Sequence, residues 1–234
     1  MDWENRPGKE YSRQWLLSLL DFEKPIRYFG LPAGRALFEK QLIKTNKVEY
    51  LELWEKDNSI YQELKDSIKD LKIEYDLFNS DVDVFLDSAR SADEGFDYYN
   101  FVWLDYCGPI TTIRLSNLKF LAETLLDDST LAVTFLGSRE ANEVTDLLYL
   151  MSDDKNVYKG VDNNFIHLKR IRAVVNTVLS SGFSYRVKVL PYLDSSPMLL
   201  FVFKRKERNG NGELRTVGRT SIEVLPVYKG IENE

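Results

Sequence analysis

The chain has 234 residues, a formal net charge of −6, one cysteine and one histidine. An apolar content of 44% excludes a disordered chain, and a length of 234 residues suits one large α/β domain or two small ones. The single cysteine excludes an internal disulfide framework and indicates a reducing compartment, and with one histidine it disfavours a structural zinc site. No apolar stretch approaches the roughly 18 residues of a membrane-spanning helix, and residues 1–13 do not resemble a signal peptide. We therefore expect a soluble, cytoplasmic protein that does not enter the membrane.

The first elements of the chain predict a helix followed by a βαβ unit. Residues 1–10 are predicted to be mobile, and Tyr11–Leu20 has helical spacing that suits a helix at the sheet edge. From Pro25 to Asp57 an apolar run enters a glycine turn, continues as a helix to Ile43, and returns as a second extended run that ends in acids.

This unit can carry chemistry as well as structure. A glycine turn lets the backbone approach a ligand closely, and a carboxylate at the tip of the second strand can bind both hydroxyls of a ribose. Glu55 is the candidate carboxylate. The alternative is an ordinary strand-to-helix turn with a solvated acidic strand end.

The elements after this unit alternate between helix and strand and close with two strands. Asn79-Ser80-Asp81 follows the third strand, and Asp105 to Pro109 is predicted to break the fourth. In chain order the predicted elements are helix Asn58–Leu71, strand Ile73–Phe78, helix Val82–Ser88, strand Phe96–Asp105, helix Thr111–Leu126, strand Ser129–Leu136, helices Arg139–Met151 and Asn163–Ser180, strands Ser184–Leu190 and Met198–Lys206, and an edge strand within Thr220–Val227.

This order predicts an α/β fold: a seven-stranded, mostly parallel sheet with helices on both faces and a C-terminal antiparallel hairpin. We expect residues 1–24 to form an N-terminal helical extension and residues 25–206 the main domain. Residues 207–234 then form a C-terminal extension that holds the edge strand.

The order of the elements and the residues at the strand ends resemble the class I S-adenosylmethionine-dependent methyltransferases, a Rossmann-like family. The resemblance covers Pro25 to Lys206. It implies S-adenosylmethionine as the cofactor, with Gly30 and Gly34 beside its methionine part, Glu55 on its ribose and Asp81 near its adenine.

The resemblance also implies where the methyl acceptor binds. Asp105-Tyr106-Cys107-Gly108 shares its first and last residues with the Asp-Pro-Phe-Gly motif of tRNA guanine-N2 methyltransferases. Asp105 and Tyr106 would then be catalytic, with Asp105 bonded to an exocyclic amine and Tyr106 stacked on an unpaired base of RNA or DNA. Candidate phosphate contacts are the basic residues Arg170, Arg172, Lys204 and Arg205.

Two other functions stay open at this stage. Pro32 and Arg35 depart from the family's acid-x-Gly-x-Gly-x-Gly loop, which favours a methyltransferase-like binding or scaffold module without catalysis. A small-molecule or protein methyltransferase is the third hypothesis, because this architecture serves many substrates. Whether the protein is an enzyme therefore depends on whether its loop binds the cofactor.

Overall fold

A mixed β-sheet forms the centre of the protein in the computed structural model, which describes residues 6–21, 23–140, 165–206, 222–226 and 228. Eight strands are present in these residues: β1 Ile26–Gly30, β2 Val48–Trp54, β3 Glu74–Phe78, β4 Phe101–Ile110, β5 Thr130–Glu140, β6 Tyr185–Leu193, β7 Pro197–Arg205 and β8 Ile222–Val224. Their order across the sheet is β3-β2-β1-β4-β5-β7-β6-β8. β1 to β5 are parallel, β7 is antiparallel to both β5 and β6, and β8 is parallel to β6.

Helices cover both faces of this sheet, as expected for parallel strands that are buried on both sides. The described helices are α1 Pro7–Leu19, α2 Leu37–Ile43, α3 Asn58–Ile68, α4 Val82–Ser91, α5 Thr112–Thr124 and α6 Phe165–Leu179. The first three pack on one face through Leu16, Phe38 and Leu64, and the last three pack on the other through Leu86, Leu118 and Val174. None of the helices in the described ranges is long and apolar enough to cross a bilayer.

The predicted fold class is confirmed, but the predicted number of strands is wrong. Seven strands were expected, and the described residues contain eight. The eighth strand, Ile222–Val224, pairs with Val187–Val189 at the outer side of β6. It lies within the predicted edge strand of residues 220–227, which was not counted among the seven.

The fourth strand begins later than predicted and has no break. Phe96 to Tyr99 was assigned to it because these residues are aromatic, but they form a turn in which Phe96 packs edge-on against Phe29, with 5.3 Å between ring centroids. β4 then continues through the predicted break as far as Ile110. It does so with a β-bulge, in which Asp105 pairs with Thr134 and the next paired residue is Gly108.

Two other predictions at the ends of elements need correction or fall outside the described residues. α1 begins at Pro7, so residues 7–10 are helical rather than mobile. Proline suits this first helical position because its missing N–H has no partner there anyway. Of the predicted helix Arg139–Met151, Arg139 and Glu140 lie in β5 and the other residues lie outside the described ranges.

Gly30, at the end of β1, is required by a close contact within the core. Tyr28 lies two residues earlier on the same face of the strand and is fully buried, and its hydroxyl donates to Glu39 Oε1 at 2.9 Å. A Cβ atom at Gly30 would lie 2.1 Å from the Tyr28 hydroxyl oxygen. A side chain at this position would therefore displace a tyrosine that is held by both packing and a hydrogen bond.

We expect Gly30→Ala to lower the free energy of unfolding by about 1–3 kcal/mol, the usual cost of overpacking a core. Denaturant unfolding of the purified variant measures this loss. Gly95→Ala is the matched control, because its Cβ would meet only the Asp97 carboxylate at an ordinary 3.7 Å. Equal stability of the two variants would contradict the assignment.

Candidate functional site

A cleft of about 200 Å³ opens at the carboxyl ends of the parallel strands. The strand order reverses between β1 and β4, and ligands of open α/β sheets bind in the crevice at such a point. Four strand ends contribute to the lining, through residues 31–33, 54–56, 80–83 and 105–107, together with Lys9, Ile60 and Arg114.

Four of the six predicted site residues line this cleft and two do not. Glu55, Asp81, Asp105 and Tyr106 lie in its wall. Gly30 and Gly34 lie on the side of the loop that faces the rest of the domain. Gly30 faces Tyr28, and a Cβ at Gly34 would lie 2.7 Å from Glu63 Oε2 of α3. The glycines allow the loop to pack against its own domain, while residues 31–33 form the surface of the cleft.

The glycine loop is supported by a buried polar pair beneath it. In the acid-x-Gly-x-Gly-x-Gly spacing, Pro32 falls at the second glycine and Tyr28 at the acid. The Tyr28 hydroxyl donates to the carboxylate of Glu39, of which only 2% is exposed. Burial raises the pKa of Glu39 to about 7, although the hydrogen bond from Tyr28 and the charge of Arg13 act in the opposite direction.

Glu55 is the acid of the described cleft lining that forms no ion pair. Its Oε1 accepts the backbone N–H of Asp57 at 2.7 Å, which turns the side chain at the end of β2. Burial raises the pKa of Glu55 above its ordinary value. No described residue forms an ion pair with Glu55, so its carboxylate adds a negative charge to the wall of the cleft.

Asp81 caps a helix and also forms an ion pair. Its Oδ1 accepts the backbone N–H of Asp83 at 2.9 Å, so it is the N-cap of α4. Its Oδ2 lies 3.2 Å from Lys56 Nζ, which bridges the ends of β2 and β3 across the cleft.

Tyr106 is held firmly in the wall by three neighbours. Its hydroxyl donates to Asp83 Oδ1 at 2.7 Å, and the Arg114 guanidinium lies 4.2 Å from its ring centroid. Phe135 stacks against the ring at 5.5 Å. Arg114 Nε also donates to Asp83 Oδ2 at 3.2 Å, which closes the network. Burial and the charge of Asp83 raise the pKa of Tyr106 well above its ordinary value, so the phenol stays protonated.

Asp105 lies in a compact group with Lys9 and Cys107. The Cys107 thiol donates to Asp105 Oδ1 at 2.9 Å, and Lys9 Nζ lies 3.6 Å from Asp105 Oδ2. Lys9 Nζ also donates to Cys107 Sγ at 2.9 Å. Burial and the negative charge of Asp105 raise the pKa of Cys107, so this cysteine is a neutral thiol rather than a nucleophile.

Ion pairing leaves the described lining of the cleft with one excess negative charge. The lining contains four acids and three bases. Lys9 pairs with Asp105, Lys56 with Asp81 and Arg114 with Asp83, at 3.2–3.6 Å. Glu55 supplies the excess charge, so the cleft favours a ligand that carries positive charge.

Solved structures share this architecture, while the sequence matches no protein-family model and no curated protein. An N-methyltransferase NodS of Bradyrhizobium japonicum WM9, in complex with S-adenosyl-L-homocysteine, has a TM-score of 0.54 and 10% identity over 87% of this chain and 90% of its own. The precorrin-6y C5,15-methyltransferase of Geobacter metallireducens GS-15 has a TM-score of 0.52 and 11% identity over 87% of this chain and 92% of its own. The fibrillarin pre-rRNA processing protein of Methanococcus jannaschii has a TM-score of 0.50 and 11% identity over 81% of this chain and 70% of its own.

The chain has the class I methyltransferase fold. The cleft lies at the point of this fold where the strand order reverses. The resemblance inferred from the order of elements and the strand-end residues is thus confirmed at the level of the fold.

Sequence reasoning missed four charged residues of this methyltransferase-fold cleft: Lys9, Lys56, Asp83 and Arg114. Lys9 was assigned to a mobile segment, and it reaches the cleft only because α1 begins at Pro7. The Asp-x-Asp spacing of Asp81 and Asp83 was a usable signal, since an N-cap acid and a residue of the first helical turn face the same strand end.

Three of the four residues predicted to contact phosphate are buried. Arg170, Arg172 and Arg205 are 3%, 8% and 5% exposed, and Arg170 and Arg205 donate to the backbone carbonyls of Gly137 and Leu125. The prediction is wrong for these three because their guanidinium groups are enclosed within the fold. Lys204 is partly exposed, and it lies 3.9 Å from both Asp21 and Asp128.

The buried Glu39 predicts a specific dependence of stability on pH. Its folded pKa of about 7 exceeds the ordinary 4.5, so the folded state retains a proton between these values. Its contribution to stability is therefore complete below pH 4.5, falls as the pH rises to 7, and is then constant. Because each tenfold difference in proton affinity between the folded and unfolded states corresponds to about 1.4 kcal/mol, the loss is about 3 kcal/mol.

Urea unfolding of the wild type and of Glu39→Gln between pH 5 and 8 measures this loss. The difference between their free energies of unfolding should change over this range. Glutamine can still accept the Tyr28 hydroxyl but does not titrate. A difference that stays constant over this range would mean that Glu39 is ionised in the folded protein.

Proposed function

We propose that the cleft binds S-adenosylmethionine and that the protein is a methyltransferase acting on an amino group of a nucleic acid base. This proposal depends on one observation, the position of the cleft where the strand order reverses. Among the described residues that line the cleft, Glu55 is the one acid that forms no ion pair. The cofactor supplies a methyl group on a positively charged sulfur, already activated for transfer. With one cysteine in the chain, we place the reaction in the reducing cytoplasm.

The residues of the cleft fit the chemical groups of this cofactor. The Glu55 carboxylate is suited to the ribose hydroxyls, which a strand-end carboxylate binds in related folds. Asp81 would offer a polar edge to the adenine. Residues 31–33 would lie along the methionine part, with Gly30 and Gly34 holding the loop in place behind them.

Asp105 and Tyr106 would form the acceptor end of the site. A carboxylate at this strand end can accept a hydrogen bond from an exocyclic amine and stabilise the positive charge that develops on the nitrogen. Tyr106 would border the base without stacking on it, since Arg114 and Phe135 already lie against its ring. The fibrillarin neighbour, named as a pre-rRNA processing protein, is compatible with an RNA acceptor.

Calorimetric titration with S-adenosylmethionine and S-adenosylhomocysteine tests the proposal directly. We expect micromolar binding of both, followed by methyl transfer to tRNA, rRNA or DNA in a screen of acceptors. Binding without transfer to any nucleic acid would redirect the search to small molecules and proteins, as the precorrin methyltransferase neighbour suggests. No binding at millimolar ligand would overturn the proposal.

A second candidate is a methyltransferase-like module without catalytic activity, and one observation favours it. Pro32 occupies the second glycine position of the loop, lies in the cleft wall, and has no backbone N–H to offer a ligand. The same titration decides between the two functions, because such a module would bind neither ligand.

We expect Glu55→Ala to weaken the binding of S-adenosylmethionine by about 1–3 kcal/mol, the cost of leaving buried polar groups unpaired. The affinity is measured by calorimetry, and Glu74→Ala on the exposed surface of β3 is the control. Unchanged affinity in Glu55→Ala would remove this residue from the site.

We expect Asp105→Asn to preserve the binding of S-adenosylhomocysteine and to reduce methyl transfer by about 100-fold or more, because one charge-stabilising group is lost. Single-turnover assays on the acceptor found in the screen measure the rate. The exposed Asp97→Asn is the control. A variant that transfers at the wild-type rate would show that Asp105 lies outside the reacting centre.

A further inference from the structure

The first turn of α1 is fixed by contacts with the end of β6 and with Tyr228. Gly8 packs on the backbone of Leu193, whose carbonyl oxygen would lie 2.4 Å from a Cβ at Gly8. Arg6 pairs with Asp194 at 3.5 Å. The ring of Tyr11 stacks on that of Tyr228 at 3.8 Å with 6° between the planes. These contacts bring the next residue of the turn, Lys9, into the cleft rather than into solvent.

Lys9 is a buried ammonium group next to the proposed acceptor end. Only 6% of the residue is exposed. Burial alone would lower the pKa of Lys9, but the charge of Asp105 and the contact with Cys107 raise it above its ordinary value. The side chain therefore stays charged, and a charge that is this deeply buried persists only when it is paired.

Lys9 and Cys107 together fix the orientation of the Asp105 carboxylate. Each of its two oxygens has a partner on the wall side, the Cys107 thiol for Oδ1 and the Lys9 ammonium for Oδ2. The Asp105 side chain remains 19% exposed. The two contacts fix the carboxylate against the wall, and its exposed part faces the cleft.

We propose that Lys9 is a positioning residue of the methyl-transfer site, which orients the Asp105 carboxylate and balances its charge. This inference rests on the proposed function. It makes α1 a part of the active site, so residues 7–19 belong to the catalytic unit and are not a separate extension.

The two forms of the cofactor provide a charge-specific test that needs no acceptor. S-adenosylmethionine carries a positive sulfonium, whereas S-adenosylhomocysteine has a neutral sulfur in the same place. Loss of the Lys9 charge leaves Asp105 unbalanced, and the cleft then favours the cation more strongly. The ratio of the two affinities therefore reports the charge of Lys9, and a purely structural role would not change it.

Calorimetry on four proteins measures this ratio. We expect Lys9→Met to shift the affinity ratio towards S-adenosylmethionine by about threefold or more, from the Coulomb energy of one charge across the cleft. Lys9→Arg keeps the charge and should retain the wild-type ratio. Lys69→Met is the matched control, because Lys69 lies on the surface of α3 with 63% of its side chain exposed.

A thermal double-mutant cycle tests the contact itself in the absence of any ligand. Lys9→Met and Asp105→Asn should each lower Tm by several degrees, because each leaves a buried charge without its partner. The double variant should lose clearly less than the sum of the two, which is the signature of a direct interaction.

The outcomes separate this inference from the proposed function. An additive cycle, or an unchanged affinity ratio in Lys9→Met, overturns the role of Lys9 even if both ligands bind the wild type. A coupled cycle with a shifted ratio supports it. If the wild type binds neither ligand, the proposed function fails, and a coupled cycle then assigns the Lys9–Asp105 pair to the stability of the fold alone.

Discussion

The β-bulge in β4 is the constraint on which the arrangement of the cleft depends. Asp105 pairs with Thr134 and Gly108 pairs with Phe135, so two residues of β4 are left without partners on β5. Cys107 takes a left-handed conformation, with φ of 46°, to allow this. Tyr106 consequently packs with the core under α4 and α5, while Cys107 packs with the core under α1. This β-bulge thus places Tyr106 and Cys107 in the wall of the cleft while each packs with a different core cluster.

The glycine loop depends on a different device, a polar pair inside the core. Tyr28 fills the space that a side chain at Gly30 would need, and its hydroxyl satisfies the buried carboxylate of Glu39. A buried polar network is stable only when its members are satisfied, so the tyrosine, the glutamate and the glycine must be retained together. Pro32 lies outside this network, in the wall of the cleft. The departure from the family pattern at Pro32 therefore leaves the support of the loop intact.

The sequence predicted what local patterns determine and missed what three-dimensional contacts determine. The alternation of strands and helices was readable because apolar periodicity follows secondary structure, and Glu55, Asp81 and Asp105 were identifiable because they follow apolar runs. The contact between Lys9 and Cys107 joins residues 98 positions apart, so no local sequence pattern predicts it. Phe96 illustrates the opposite error, in which a local pattern predicts an element that is absent. The aromatic residues around it are typical of a strand, but they form a turn that packs on Phe29.

The pattern of pairing among the acids of the cleft bears on why Glu55 is present. Asp81, Asp83 and Asp105 each have a cation within 4 Å, which offsets the cost of burying a carboxylate. Glu55 has no such partner among the described residues, and burial raises its pKa. In the proposed function, the hydroxyl groups of a ligand would complete the hydrogen bonds of this half-buried acid.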